Sequence, residues 1–310
     1  MNVLFPEVLQ AKPFLKWAGG KGQLIPAIEK RLPHDLKQRR ELTYIEPFIG
    51  SGAVLFWILQ KYPSIRKAVI SDINHDLTQA YTTIKEQPLA LIRALQELQT
   101  KYYKLISEEE RKNFFLEKRE IFNLRNADTL SHTVLLIFLN RTCFNGLYRV
   151  NSKNLFNVPF GRYEKPRICD PETIMADSHL LQRVTILNAD FEVTLNYAGT
   201  DSFFYFDPPY RPLNNTSSFN SYTTDVFDDK EQTRLKQFCD VLSSKNYQWL
   251  LSNSDPRNTN PDDNFFDDLY ADESIQVDRV KAKRSINSDP SKRGEIAELL
   301  IYNYAQKPAL

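Results

Sequence analysis

The stretch Ser202-Phe203-Phe204-Tyr205-Phe206-Asp207-Pro208-Pro209-Tyr210 decides how this chain is read. Phe203–Phe206 is a short apolar run and predicts a buried strand. The tetrapeptide after it then sits at a strand's carboxyl end, where open α/β sheets build their sites. Two consecutive prolines remove two backbone donors and hold the chain extended. The Asp207 carboxylate, the Pro208 carbonyl and the Tyr210 ring therefore project together, with no N–H to neutralise the acceptors. That group suits an amino group on a flat ring: Asp207 and Pro208 accept its hydrogens while Tyr210 stacks on the ring.

On either side of this run the pattern is that of an α/β protein. Thr43–Glu46, Ala68–Ser71, Val184–Leu187, Ser202–Phe206 and Gln248–Leu251 read as sheet strands. Gly52–Tyr62 reads as a helix behind the first of them, and Val277–Lys283 with Leu299–Tyr304 as a terminal hairpin across residues 285–294. The middle of the chain differs. Pro88 opens a helix with Leu91, Leu95 and Leu98 on one stripe. Ser107-Glu108-Glu109-Glu110 is a capping box, with Phe114, Phe115, Ile121 and Phe122 expected inward. Thr129–Asn140 reads as a buried helix, and Asn145–Tyr163, rich in Asn, Gly and Arg, as a functional loop. The expectation is a Rossmann-like α/β domain from residues 1–77 and 168–310, interrupted by a helical domain from residues 78–167.

The bulk numbers are those of an ordinary globular protein: 310 residues, 42% hydrophobic, 25% charged, net charge +1, mean hydropathy −0.46. No apolar run has the length of a membrane span, and Met1–Glu7 lacks the pattern of a secretory signal. Cys143, Cys169 and Cys239 are odd in number and widely spaced, which fits reduced thiols in a cytoplasm. Scattered histidines and the lack of a CxxC pair argue against a zinc site. Charge is informative only locally. Arg141, Arg149, Lys153, Arg162, Lys165 and Arg167 form one basic run, and Lys281, Lys283, Arg284, Lys292 and Arg293 a second, with acidic Asp255–Glu273 between them. Two basic faces and an acidic back are consistent with nucleic-acid binding.

Ile45–Gly52 is a strand followed by a turn in which Gly50 and Gly52 let the backbone approach a ligand. Asp72 ends a second strand and is placed to accept ribose hydroxyls. Asp190 follows a third, where it can accept from an adenine amino group while Phe191 or Phe48 packs on the ring. The turn lacks a full GxGxxG, so a ligand with one adenosine fits better than a dinucleotide. Gly19-Gly20-Lys21 lacks P-loop spacing. Lys21 can instead meet the carboxylate of an amino-acid tail, and Trp17 offers a face to a sulfonium.

Taken together, FLKWAGGKGQL, EPFIGSGAV with SDINHDL, NRTCFNGLYRVNSKNLFNVPFGRY and FDPPY resemble, in order, the D12 class of Dam-type adenine-N6 DNA methyltransferases, and most of all its GATC-reading members. A weaker match is RSINSDPSKRGEIAELLIYNY. The resemblance implies S-adenosylmethionine as donor, with Trp17, Lys21, Phe48, Gly50, Gly52, Asp72, Asp190, Phe191 and Asp207 in its site. Asp207, Pro208 and Tyr210 match the catalytic motif. Lys16, Asn145, Arg149, Pro159 and Tyr163 match positions that read the target bases, and Phe144 an aromatic wedge. Phe144 departs from the tyrosine of some members, and Asn214 stands where relatives have a small hydroxyl residue. Duplex DNA with GATC sites is the implied partner. A cognate restriction endonuclease without direct contact, and a monomer or weak dimer on DNA, complete what the resemblance implies.

Arg149 is the expected bidentate reader of a guanine edge, and Lys16 the holder of another guanine. Arg141, Arg162, Lys292 and Arg293 are expected on phosphates. Three rival readings accompany this one: a methyltransferase acting on cytosine N4, RNA adenine or a protein amide; a nicotinamide oxidoreductase built on the Gly50/Gly52 turn; and a non-catalytic DNA-binding regulator.

Overall fold

Every residue of Ser202–Phe206 is buried, and its side chains alternate between two cores: Phe203 and Tyr205 point to one, Phe204 and Phe206 to the other. Two-sided burial is what a parallel sheet demands of its central strands, and it explains why the run is continuously apolar. The computed structural model describes residues 10–17, 19–211, 227–283 and 295–306. Ala18, Asn214, Arg284, Lys292, Arg293 and the loop of residues 285–294 lie outside the described residues.

The strands are β1 (Thr43–Glu46), β2 (Lys67–Asp72), β3 (Val184–Asn188), β4 (Ser202–Phe206), β5 (Gln248–Ser254), β6 (Gln276–Lys283) and β7 (Glu295–Tyr302). They form one sheet in the order β3-β2-β1-β4-β5-β7-β6. β1 to β5 are parallel, and β7 enters antiparallel between β5 and β6. β1 and β4 pair with Ile45 opposite Phe204. Strand order reverses between them, so the crevice at their carboxyl ends is the switch point where such sheets bind ligands.

The helices are α1 (Ile25–Glu29), α2 (Ala53–Lys61), α3 (His75–Glu86), α4 (Pro88–Tyr103), α5 (Glu108–Asn123), α6 (Thr129–Thr142), α7 (Pro171–Leu181), α8 (Asp229–Ser244) and α9 (Phe265–Leu269). Local chemistry sets their ends. Asn74 caps α3, Ser107 and Glu110 form the expected capping box of α5, and Asp128 caps α6. On α5, Phe115 and Phe122 are buried, while Phe114 and Ile121 are only partly so. α6 is apolar nearly all round because α3, α4 and α5 all pack on it. α8 lays Leu235, Phe238, Cys239 and Leu242 on the other face of the sheet, against Phe204, Phe206, Trp249 and Leu251.

The expected boundary at residues 77 and 78 falls inside α3. That helix touches β2 and β3 as well as α6 and α7, so one hydrophobic core runs through the sheet face and the helical layer. The acidic stretch Asp255–Glu273 is less an open back than a bracket. Asp255 and Asp267 hold Arg279, and Asp263 holds Arg211. All three cysteines are buried free thiols. Among the described residues no helix is long and apolar enough to cross a membrane.

Candidate active site

The Gly50–Gly52 turn follows β1 and opens α2. Both glycines have positive φ, 46° and 72°, and a Cβ at Gly52 would meet the Tyr81 hydroxyl at 2.4 Å. Tyr81 donates to the Gly50 carbonyl at 3.0 Å, which braces the turn. Asp72, at the end of β2, accepts from Gly50 N at 3.3 Å and Asn74 N at 2.9 Å. Burial pushes its carboxyl up to about 6 against those two backbone donors. Ile73, directly after this carboxylate, is 52% exposed, and Phe48, before the Gly50 turn, is half-buried. Ile73 was not singled out from the sequence; an apolar residue directly after a strand-end acid was the signal.

Asp190 and Phe191 lie elsewhere in the chemistry than expected. Arg234, on α8, binds both Asp190 oxygens at 3.0 and 2.7 Å and stacks on the Phe191 ring at 4.2 Å. Phe191 is itself buried, which leaves Phe48, 5.4 Å from it, as the ring open to a ligand. Asp190 stays below the usual carboxylate range: burial raises it, and the Arg234 guanidinium more than offsets that.

Asp207 ends β4 next to this turn. Its Oδ1 lies 2.7 Å from Lys21 Nζ and accepts from Ser252 Oγ at 3.2 Å. Among the described residues nothing donates to Oδ2. Burial raises the Asp207 carboxyl, while Lys21 and Ser252 pull it back down. Lys21 is therefore not where the sequence placed it. Its ammonium, 4% exposed, is committed to Asp207, to the Tyr210 hydroxyl at 2.6 Å and to the Gly19 carbonyl at 3.3 Å. Its pKa is raised, because these acceptors outweigh the largest opposing influence, its own burial.

Tyr210 is 39% exposed, and its hydroxyl donates to Glu298 Oε2 at 2.9 Å. Gln232, fully buried on α8, donates to the Pro209 carbonyl at 3.2 Å. The Pro208 carbonyl, in a buried residue, has no donor among the described residues, so it and Asp207 Oδ2 are two unpaired acceptors near the exposed Tyr210. Ser252 and Gln232 lie outside every segment that carries the resemblance and reach this place only through the fold, whereas Glu298 lies within the weaker C-terminal match without having been singled out.

The Asn145–Tyr163 loop folds back on itself through bridges between Cys143 and Phe160 and between Val150 and Phe156. Asn145 adopts φ 56°. Phe144 (52% exposed), Asn145, Pro159, Arg162 and Tyr163 are on the surface. Arg149 is held by Asn157, its Nε donating at 2.8 Å. Lys16 is exposed, 5.8 Å over the Tyr163 ring. Asn140 joins the two segments: it bonds the Lys16 backbone at both ends and donates to the Gly146 carbonyl at 2.8 Å. Gly146 is required there, since a Cβ would meet Lys16 Cδ at 2.3 Å. Arg141 does not join this surface. It is half-buried and donates to the Phe14 carbonyl at 2.7 Å, a structural tie in place of the expected phosphate contact. Arg162 is open, with only a loose ion pair to Glu108 at 3.5 Å.

One buried cluster connects this loop to the nucleotide side. Asp76 takes Tyr148 Oη at 2.6 Å, His132 Nε2 at 2.9 Å and the Arg125 guanidinium. Burial works against that charge, yet the three partners hold the carboxyl at about 2. The Tyr148 ring stacks on Trp17 at 4.9 Å, and Trp17 abuts Gly50, where a Cβ would lie 3.4 Å from its Cδ1. The Trp17 ring is thus in a stack with Tyr148, a partner the sequence reading did not foresee.

Comparison with known proteins gives one family. The D12 class N6 adenine-specific DNA methyltransferase family matches residues 17–286. The chain is 47% identical to the Type II methyltransferase M.MjaIII of Methanocaldococcus jannaschii over 299 residues, 96% of this chain and 100% of that protein. It is 37% identical to the Type II methyltransferase M1.LlaDCHI of Lactococcus lactis subsp. cremoris, across 98% of this chain and 99% of the relative. It is 31% identical to the DNA adenine methylase of Escherichia coli, across 93% and 94% respectively.

Proposed function

This chain belongs to the D12 class of N6 adenine-specific DNA methyltransferases, and from that premise we propose that its donor is S-adenosylmethionine and its target the adenine of GATC in duplex DNA. The observation that carries the reading is the two acceptors unpaired among the described residues, Asp207 Oδ2 and the Pro208 carbonyl, near the exposed Tyr210 at the switch point of the sheet.

The nucleotide side fits such a donor. Gly50 and Gly52 keep the turn's backbone accessible on either side of Ser51, Asp72 presents a carboxylate to ribose hydroxyls, and Phe48 and Ile73 offer apolar faces to adenine. When bound, S-adenosylmethionine supplies a methyl group on an electrophilic sulfonium. The chain's own residues do the rest. A duplex adenine must leave the stack, at a cost of a few kcal/mol. Phe144 fills the gap, and the Tyr210 ring receives the base. Asp207 Oδ2 and the Pro208 carbonyl accept the two N6 hydrogens, which favours a pyramidal nitrogen with an available lone pair. The Lys21 ammonium, 2.7 Å from Asp207, opposes the rise that burial imposes on that carboxyl and so favours its accepting, ionised form.

On the reading side, the proposed readers are Arg149, Asn145, Pro159, Tyr163 and Lys16, with Arg162 on phosphate; the exposure of Asn145, Pro159, Tyr163, Lys16 and Arg162 and the Asn140 tie between Lys16 and Gly146 support this. GATC is supported by the match of these residues to the GATC-reading members, and the names of two relatives are compatible with a restriction-linked role. Sequencing of modified bases in plasmid DNA from cells expressing the protein tests the target. N6-methyladenine confined to GATC is expected; the same base in another sequence overturns the site and leaves the chemistry standing.

A further inference from the structure

Building on that reading, we propose that Glu298, on the terminal hairpin, is a positioning residue for methyl transfer, acting through the Tyr210 hydroxyl. It fixes the ring that receives the base and, through the same hydroxyl, the ammonium that attends Asp207.

Glu298 is 4% exposed in the middle of β7, opposite Ser254 of β5 and Val280 of β6. A carboxylate buried within a sheet is costly unless hydrogen bonds and opposite charge answer it. Three contacts in series tie it to the reacting carboxylate. Tyr210 Oη donates to Glu298 Oε2 at 2.9 Å, Lys21 Nζ donates to Tyr210 Oη at 2.6 Å, and the same Nζ lies 2.7 Å from Asp207 Oδ1. The direction of the series is fixed. An ammonium has only donors, so the hydroxyl must accept from Lys21, and its single proton goes to Glu298. Held from both sides, the hydroxyl cannot swing, and the ring of the exposed Tyr210 keeps one pose. Without the Glu298 acceptor the phenol proton has no buried partner. The hydroxyl then turns, and Lys21 loses one of its three anchors. The consequence falls on the rate of transfer, with little effect on cofactor binding, because Glu298 acts through the Tyr210 hydroxyl.

A double-mutant cycle tests this on duplex DNA under single-turnover conditions, with Glu298→Ala, Tyr210→Phe, the two combined, and Glu298→Gln. Glu298→Ala and Tyr210→Phe are each expected to slow transfer about tenfold, and the combination no further than Tyr210→Phe alone, since both break one chain. Glu298→Gln keeps an acceptor for the hydroxyl and is expected within about threefold of wild type. S-adenosylhomocysteine affinity is expected to stay within about twofold throughout. A combined loss equal to the product of the single losses, or a Glu298→Ala enzyme as fast as wild type, overturns the proposal. Should Glu298→Ala not fold, Tyr210→Phe alone decides: transfer at the wild-type rate overturns it. A wild-type protein that leaves DNA unmethylated brings down the underlying reading as well, whereas wild-type-like variants of a working enzyme bring down only the role of Glu298.

Discussion

At the scale of single residues, Lys21 changes the account most. Its partner Tyr210 is 189 residues away, and no local pattern announces that Lys21 reaches the Asp207–Tyr210 stretch. The sequence placed this ammonium on a cofactor carboxylate; the fold commits it to Asp207. The reason is electrostatic. Burial raises the Asp207 carboxyl, and a protonated Asp207 cannot accept both as an anion and at full strength from N6. Lys21→Met removes the lowering influence. The acid limb of the pH–rate profile should therefore move to higher pH, and the rate at neutral pH should fall about a hundredfold. An unshifted limb would show that Lys21 does not control this ionisation. By contrast, the local geometry of this stretch was legible at residue level: Asp207, Pro208 and Tyr210 stand at a strand end, with Asp207 Oδ2 and the Pro208 carbonyl unpaired among the described residues and Tyr210 exposed.

Among the elements, the reading loop and α7 make separate demands. Arg149 is presented by a folded-back loop and oriented by Asn157. Arg149→Ala should relax discrimination at one base pair by about 1–3 kcal/mol while other positions keep theirs. Equal loss on all sequences, measured on oligonucleotides altered one base pair at a time, would assign it to phosphate instead. On α7, Asp177 is fully buried; Oδ1 accepts from Lys12 N at 3.0 Å, and Oδ2 has no partner. Burial drives its carboxyl to about 8. The folded state thus holds this proton more tightly than the unfolded chain, where the value is about 3.9. The stability it contributes is complete below the unfolded value and drains away as pH rises toward the folded one. Asp177→Asn should accordingly be more stable than wild type, with an advantage that grows between about pH 5 and pH 8 in denaturant titrations. A constant difference would mean that Asp177 does not titrate in this range. Periodicity and capping had fixed the existence of α4, α5 and α6 and all seven strands. What they lacked was the face on which a helix buried nearly all round, such as α6, packs, so the shared core across the domain boundary in α3 was not legible.

For the molecule as a whole, the proposed function draws on three segments distant in the chain: the β1 turn for the nucleotide, the end of β4 for the acceptors and the loop after α6 for DNA. Trp17, Tyr148, Asp76 and Asn140 lock the loop to the rest through stacking and buried hydrogen bonds. Those ties, like the arginine brackets within the acidic stretch, join residues far apart in the chain and become visible only in three dimensions. The central claim is that Asp207 accepts from the amino group of an extruded adenine. Nucleoside chromatography of DNA after one turnover, with wild type and Asp207→Ala side by side, tests it most directly. The prediction is N6-methyldeoxyadenosine from wild type and no methylated nucleoside from Asp207→Ala, while the variant still binds DNA and S-adenosylhomocysteine; undiminished methylation by Asp207→Ala, or methylcytosine from wild type, would contradict it.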